Sequence, residues 1–252
     1  MKKPLILCLS LALLTGLFSA CSKKTPFSFT GRENEEQAFA KCVQLSTRKK
    51  FQQSIDCLEI FKSRFPDSKY ALEAELKIGD AYYRKKEYLL AAETYQLYTK
   101  LHPTSEKLDY AYYRIGLSYL HESPKQIDRD QEHLPAAIDS FAIVVTQYPN
   151  SQYAKIAKQK YDEARRKIAQ RNFYVGRFYY KWGEYKAAIP RFMEVYEKFA
   201  NLGLDEDALY YTIESFHRLG KNDDAKAVLE ILKGKYPNSG KIKKVPKEVL
   251  KT

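Results

Sequence analysis

Cysteine, histidine and tyrosine are the residue types whose placement in this 252-residue chain suggests chemistry. Cys21 closes the run Leu17-Phe18-Ser19-Ala20-Cys21. Small residues before a cysteine at the end of an apolar stretch have the form of a bacterial lipobox, in which the cysteine becomes the acylated first residue. Phe18 departs from that pattern, since leucine is usual there, while Ser19, Ala20 and Cys21 fit it. Buried acyl chains contribute about 0.8 kcal/mol per methylene, so several chains on one residue make a stable anchor. The alternative is an ordinary leader with a chance cysteine. Cys8 lies inside the leader, leaving Cys42 and Cys57. In an oxidising compartment such a pair forms a disulfide, or else both serve as small buried side chains.

The four histidines, His102, His121, His133 and His217, stand far apart, and none has the i, i+4 spacing of a zinc site. Ser118 follows Gly116 but lacks the second glycine of a nucleophile elbow, and no phosphate-binding loop is present. The carboxylates all have helix-surface explanations. No metal, no cofactor and no catalytic residue is expected, and the chain does not read as an enzyme.

Tyrosine is the strongest bias: there are 21, many in pairs such as Tyr82-Tyr83, Tyr112-Tyr113, Tyr179-Tyr180 and Tyr210-Tyr211. A tyrosine offers a large apolar face and a hydroxyl at low entropic cost, which suits a peptide-binding groove. Most of these rings are expected to pack between helices. Tyr83, Tyr113 and Tyr180 are the candidates to face a partner.

The elements that position these residues repeat. A 34-residue helix–turn–helix unit, the tetratricopeptide repeat, needs a small residue at position 8, an aromatic at 11, alanine at 20, a large apolar residue at 24 and proline near 32. Gly79, Tyr82, Ala91, Tyr95 and Pro103 meet that spacing in the second repeat. Gly176, Tyr179, Ala188 and Phe192 meet it in the fourth, where Ala200 replaces the proline. The fifth reads Ile213, Phe216, Ala225, Leu229 and Pro237, and the degenerate first reads Cys42, Leu45, Ser54, Leu58 and Pro66. End units are often atypical because they cap the stack. The third repeat is split: Gly116 and Tyr119 mark its first helix, and Ala137, Phe141 and Pro149 its second. Tyr119 and Ala137 lie 18 residues apart where the template has 9, so residues around His121 to Pro135 form a surface loop. From Tyr153 to Tyr180 no proline occurs, and one long helix is expected to run into the fourth repeat. The fold class is therefore all-α, a right-handed solenoid of about five repeats at 35–68, 72–105, 109–151 with the insertion, 169–202 and 206–239.

Around this repeat domain of residues 34–239 lie three further segments. Residues 1–20 read as a signal peptide: Lys2 and Lys3 precede an apolar run from Leu5 to Phe18, too short to span a bilayer comfortably. Residues 21–33 read as a lipidated start and flexible tether, and 240–252 as a flexible basic tail. Lys and Arg exceed Asp and Glu by 43 − 31 = 12. Export argues against nucleic acid as a partner, so this charge is read as solvated helix faces near an anionic membrane.

The lipobox, five repeats, split third repeat and long connecting helix together resemble the BamD family, the lipoproteins of the outer-membrane β-barrel assembly machinery. The insertion segment Asp128-Arg129-Asp130-Gln131, with Ala137 to Ser151 after it, carries the likeness. So do Arg171 to Phe192 and the turn Ser63 to Tyr70. The resemblance implies outer-membrane attachment at the periplasmic face, consistent with Ser22 after the lipidated cysteine. It further implies that the C-terminal repeats dock on a periplasmic domain of the central barrel subunit. Arg191 stands at the family arginine of that contact, able to make a bidentate ion pair, and is otherwise a surface arginine. The N-terminal repeats would receive unfolded outer-membrane proteins, and accessory lipoproteins would complete the set of partners. A pilus or secretin assembly lipoprotein is the alternative, although the split repeat would be unexpected there.

Overall fold

The structure, a computed structural model, describes residue 29 and residues 33–250. Cys21 and the expected signal peptide lie outside the described residues. Ten long helices follow in order: α1 (Glu35–Thr47), α2 (Phe51–Arg64), α3 (Ala71–Lys85), α4 (Tyr88–Leu101), α5 (Leu108–Glu122), α6 (Leu134–Gln147), α7 (Ala154–Lys181), α8 (Tyr185–Lys198), α9 (Asp205–Arg218) and α10 (Asn222–Lys235). A 3₁₀ turn (Ile242–Lys244) and the short α11 (Lys247–Leu250) end the described chain. Each long helix packs on the next, giving an all-α solenoid of helix pairs, with no strand among the described residues.

Local sequence sets the boundaries. Asn34 caps α1: its side chain accepts from the Gln37 amide at 2.9 Å, and Gln37 accepts in return from the Asn34 amide at 3.4 Å. Four second helices, α2, α4, α6 and α10, stop two residues before Pro66, Pro103, Pro149 and Pro237, because proline has no amide to donate and restricts the residue before it. The α8–α9 connection lacks that proline and instead turns through left-handed Asn201 (φ 64°) and Gly203 (φ 85°). Within hairpins the reversal falls at one register position, taken by Lys49, Lys86, Gly183 and Gly220, all at positive φ.

The spacing of the template has a steric reason. Gly79, Gly116 and Gly176 lie beneath the rings of Tyr95, Phe141 and Phe192, where an added Cβ would meet ring carbons at 2.7, 2.6 and 2.7 Å. All three rings are fully buried, and burial of one phenylalanine contributes about 1.5–3 kcal/mol. In the degenerate first repeat the small position is Cys42. It is disulfide-bonded to Cys57 across the α1–α2 hairpin, with a Cα–Cα distance of 5.3 Å.

Two segments differ from a flexible description. The basic tail expected from residue 240 is packed as far as Leu250. Val245 and Val249 are buried in the last core cluster with Val228, Leu229 and Leu232 of α10, and this apolar pair among lysines is what orders it. In the tether, Phe29 packs edge-on against Phe65, with ring centroids 6.4 Å apart.

The insertion, residues 123–133, is also ordered. Gln131 is buried, and its side-chain amide nitrogen lies 3.2, 2.9 and 3.3 Å from the carbonyl oxygens of Pro124, Gln126 and Arg129. Arg171 of α7 reaches across and donates to the carbonyls of Ile127 at 3.1 Å and Asp128 at 2.6 Å. One amide thus gathers the loop and one guanidinium fastens it to the long helix.

Candidate functional site

Positions 9 and 12 of one first helix meet position 6 of the next, and Tyr83 and Tyr180 sit at these junctions. Between the second and third repeats, Asp80 of α3 accepts from the hydroxyls of Tyr95 at 2.6 Å and of Tyr110. Arg114 of α5 donates through Nε to the Tyr95 oxygen at 3.1 Å, and its Nη2 stands 3.4 Å from Asp80 Oδ1. Lys77 approaches the other carboxylate oxygen at 3.7 Å. Burial and then the Asp80 charge hold the Tyr95 phenol well above its ordinary pKa, and the same two causes raise Tyr110. Both therefore remain hydrogen-bond donors at any physiological pH.

Tyr83 lies on this junction. The Arg114 guanidinium sits 4.1 Å from its ring centroid, and its hydroxyl is 2.8 Å from His121 Nδ1. Burial, reinforced by Lys160, lowers the His121 pKa, so the neutral imidazole accepts from the tyrosine. Tyr113 stacks on Tyr153 with centroids 5.2 Å apart. Tyr180 occupies the register position of Tyr83 two repeats later, edge-on to Tyr185 and Tyr211, and its hydroxyl reaches buried Glu214 only at 3.4 Å. Burial raises all three phenols. The three rings are half-buried and engaged within the chain, so they offer a partner an edge rather than a free face.

Arg191 is exposed on α8, on a different element from the tyrosines. Its nearest recorded carboxylate, Glu194 one turn on, is 4.0 Å away, and an exposed pair of that length contributes little. The guanidinium is open to an incoming acid.

The sequence reading passed over a second surface. Tyr174, Phe178 and Trp182 recur every four residues along α7 and are 45, 50 and 74% exposed. The register puts them at positions 6, 10 and 14, where the second repeat has Lys77, Ala81 and Lys85. With Ile127 of the insertion, Phe173, Arg177 and Lys181, the first two line a cleft of about 490 Å³. Arg177 lies 4.5 Å over the Tyr211 ring, yet its buried Nε has no hydrogen-bond partner. The aromatic i, i+4, i+8 spacing was visible in the sequence. The unpaired guanidinium was not, because its environment comes from α9 and the insertion.

Among the described residues no group of three or more potential metal ligands gathers, and no helix is long and apolar enough to cross a membrane.

Comparison with known proteins supplies the family. Residues 32–232 match the family model described as YfiO, outer membrane lipoprotein. The chain is 31% identical to the outer membrane protein assembly factor BamD of Rickettsia prowazekii over 197 residues, 78% of each chain. It is 28% identical to the BamD of Neisseria meningitidis serogroup A over 213 residues, 81% of this chain and 80% of that one. The BamD of Vibrio cholerae is 28% identical over 68% of this chain and 74% of its own. With a solenoid of five helix pairs, an ordered insertion in the third and a 28-residue α7 leading into the fourth, the chain belongs to the BamD family of outer-membrane protein assembly factors.

Proposed function

We propose that the chain is a non-enzymatic lipoprotein subunit of the outer-membrane β-barrel assembly machinery, anchored at the periplasmic face through acylated Cys21. It scaffolds the central barrel subunit through the C-terminal repeats, receives unfolded outer-membrane proteins on the N-terminal repeats, and works beside accessory lipoproteins. Family membership supports the assembly role. The observation that carries the scaffold contact is Arg191, an exposed guanidinium with only a 4.0 Å intrahelical neighbour. Such a fork matches a carboxylate on a partner bidentately.

The test is recovery of the tagged full-length chain from its own envelope in mild detergent, with partners identified by mass spectrometry. Arg191→Glu is expected to reduce recovery of a large barrel protein with repeated periplasmic domains at least about tenfold, the equivalent of 1.4 kcal/mol, without loss of helicity. Undiminished recovery removes Arg191 from the contact, and recovery of a secretin or pilus components instead moves the chain to another complex. Cys21→Ala should release the chain from the membrane fraction.

A further inference from the structure

We propose that the cleft between α7 and the insertion is a docking site for an extended polypeptide segment that presents a carboxylate between aromatic side chains. It is separate from both the Arg191 surface and the N-terminal repeats, and it stands independently of which complex the chain joins.

Three observations converge on this cleft. Its walls are apolar and aromatic: Ile127 on one side, Phe173, Tyr174 and Phe178 on the other. The exposure of Tyr174 and Phe178 continues through Trp182 at 74%, whose ring centroid is 5.8 Å from that of Phe178, so the apolar stripe runs on past the cleft. Large exposed rings in a row on one helix face, unlike singly scattered apolar residues, point to an interaction site. Its charge has one sign. Arg177 and Lys181 line the cleft and no carboxylate does. The Arg177 Nε is buried without a partner, and an unsatisfied buried donor on a charged group is costly to the free chain. A carboxylate in the cleft meets the Arg177 guanidinium, which has no acid among the described residues to pair with.

The wall opposite α7 is held in place. Arg171 fastens the carbonyls of Ile127 and Asp128, and Gln131 ties the loop to itself, so Ile127 is presented from an ordered backbone. A preorganised wall spares a ligand the cost of ordering it. A cleft of about 490 Å³ holds two or three side chains rather than a folded domain, which favours an extended segment.

Trp182 is the only tryptophan in the chain and reports on this face directly. The experiment uses the full-length chain in phosphatidylcholine vesicles, titrated with the peptide acetyl-Gly-Phe-Asp-Phe-Gly-amide and with its Phe-Asn-Phe counterpart. The aspartate peptide should saturate a change in Trp182 emission and bind at least about tenfold more tightly than the asparagine peptide. Arg177→Gln should erase that difference while leaving the asparagine peptide unaffected, and Phe178→Ser should weaken both. Arg177→Lys, which keeps the charge and loses the fork, should retain part of the preference and serves if the glutamine variant loses helicity. Equal affinity for the two peptides, or no emission change up to millimolar concentration, overturns the proposal. An emission change that follows protein concentration alone, with sedimentation as a dimer, also overturns it and assigns the face to a second copy of the chain.

Discussion

The junction of the second and third repeats and that of the fourth and fifth share one register but differ in chemistry. Position 9 of the earlier repeat is Asp80 in one and Arg177 in the other. Position 6 of the later repeat is Arg114 in one and Tyr211 in the other. In the first pair the acid faces the base and two tyrosine hydroxyls complete the carboxylate; the guanidinium donates to Tyr95 through Nε, while its buried Nη2 stands 3.4 Å from Asp80 without a hydrogen bond. In the second pair the guanidinium faces a ring, 4.5 Å from its centroid, and keeps one buried donor unpaired. The backbone treats the two alike, with a glycine beneath a buried ring in each, so the fold does not require the difference. An array of near-identical units carries a site where one unit leaves a guanidinium facing a ring and its counterpart gives it an acid. The N-terminal half is also closed covalently by Cys42–Cys57, a restraint the C-terminal described repeats lack.

That contrast predicts a graded set of responses. The largest is to reduction of the disulfide, which closes a separation of 15 residues. Releasing such a loop costs about 3 kcal/mol in the chain-entropy account. Hydrogen exchange should show the loss in α1 and α2 and leave α7 to α10 protected as before; uniform loss would mean that the halves unfold together. Next is Asp80→Leu against Arg177→Leu. The first strands Arg114, whose side chain is 16% exposed, without its acid. Removing one partner of a buried pair costs roughly 3–5 kcal/mol, and this partial exposure trims that to about 2. The second removes a cation that has no acid and should cost under about 1 kcal/mol, the scale of a cation–π contact. Urea unfolding of both variants decides it, and equal losses would erase the contrast. Gly79→Ala and Gly176→Ala are the matched control. Each new Cβ meets a ring at 2.7 Å, so both should cost a similar amount, roughly 1–3 kcal/mol.

What was legible in the sequence follows the same division. The helix pairs were legible because Gly79, Tyr95 and Pro103 each enforce a local or next-neighbour geometry: close approach, ring placement, helix stop. The long α7 was legible from the absence of proline. The ordering of the tail was not, since two valines among lysines show no periodicity until Val245 and Val249 are set against α10. For the candidate site, Tyr83 and Tyr180 lie on the first helices of their repeats, and partners of each come from the following repeat: Arg114 and His121 for one, Tyr211 and Glu214 for the other. Pairing across 30 or more residues is set by how repeats stack, which a one-repeat template does not encode. The same holds for Arg171, which finds the insertion 43 residues upstream.

The smallest expected effect separates the two junctions by pH. His121 lies at the first and has no counterpart at the second. Burial, with Lys160, Lys167 and Arg114 nearby and Glu163 opposing, depresses its folded pKa below the ordinary 6.5. A depressed pKa contributes stability that is fully present above the unfolded value and is lost as pH falls through the folded one. The window therefore lies below pH 6.5, where protonation of Nδ1 removes the acceptor for the Tyr83 hydroxyl. The ring is exposed to solvent, so screening keeps the loss small. His121→Phe keeps the stack on Tyr83, now 5.5 Å between centroids, and removes the titration, while every other titrating group is common to both proteins. Between pH 7.5 and pH 5 the wild-type midpoint should fall more than that of the variant, by no more than about 2 °C. Hydrogen exchange should place the difference at the C-terminal ends of α3 and α5. A larger fall in the variant would mean that the histidine gains a partner on protonation, and that the first junction is tuned to acid rather than closed against it.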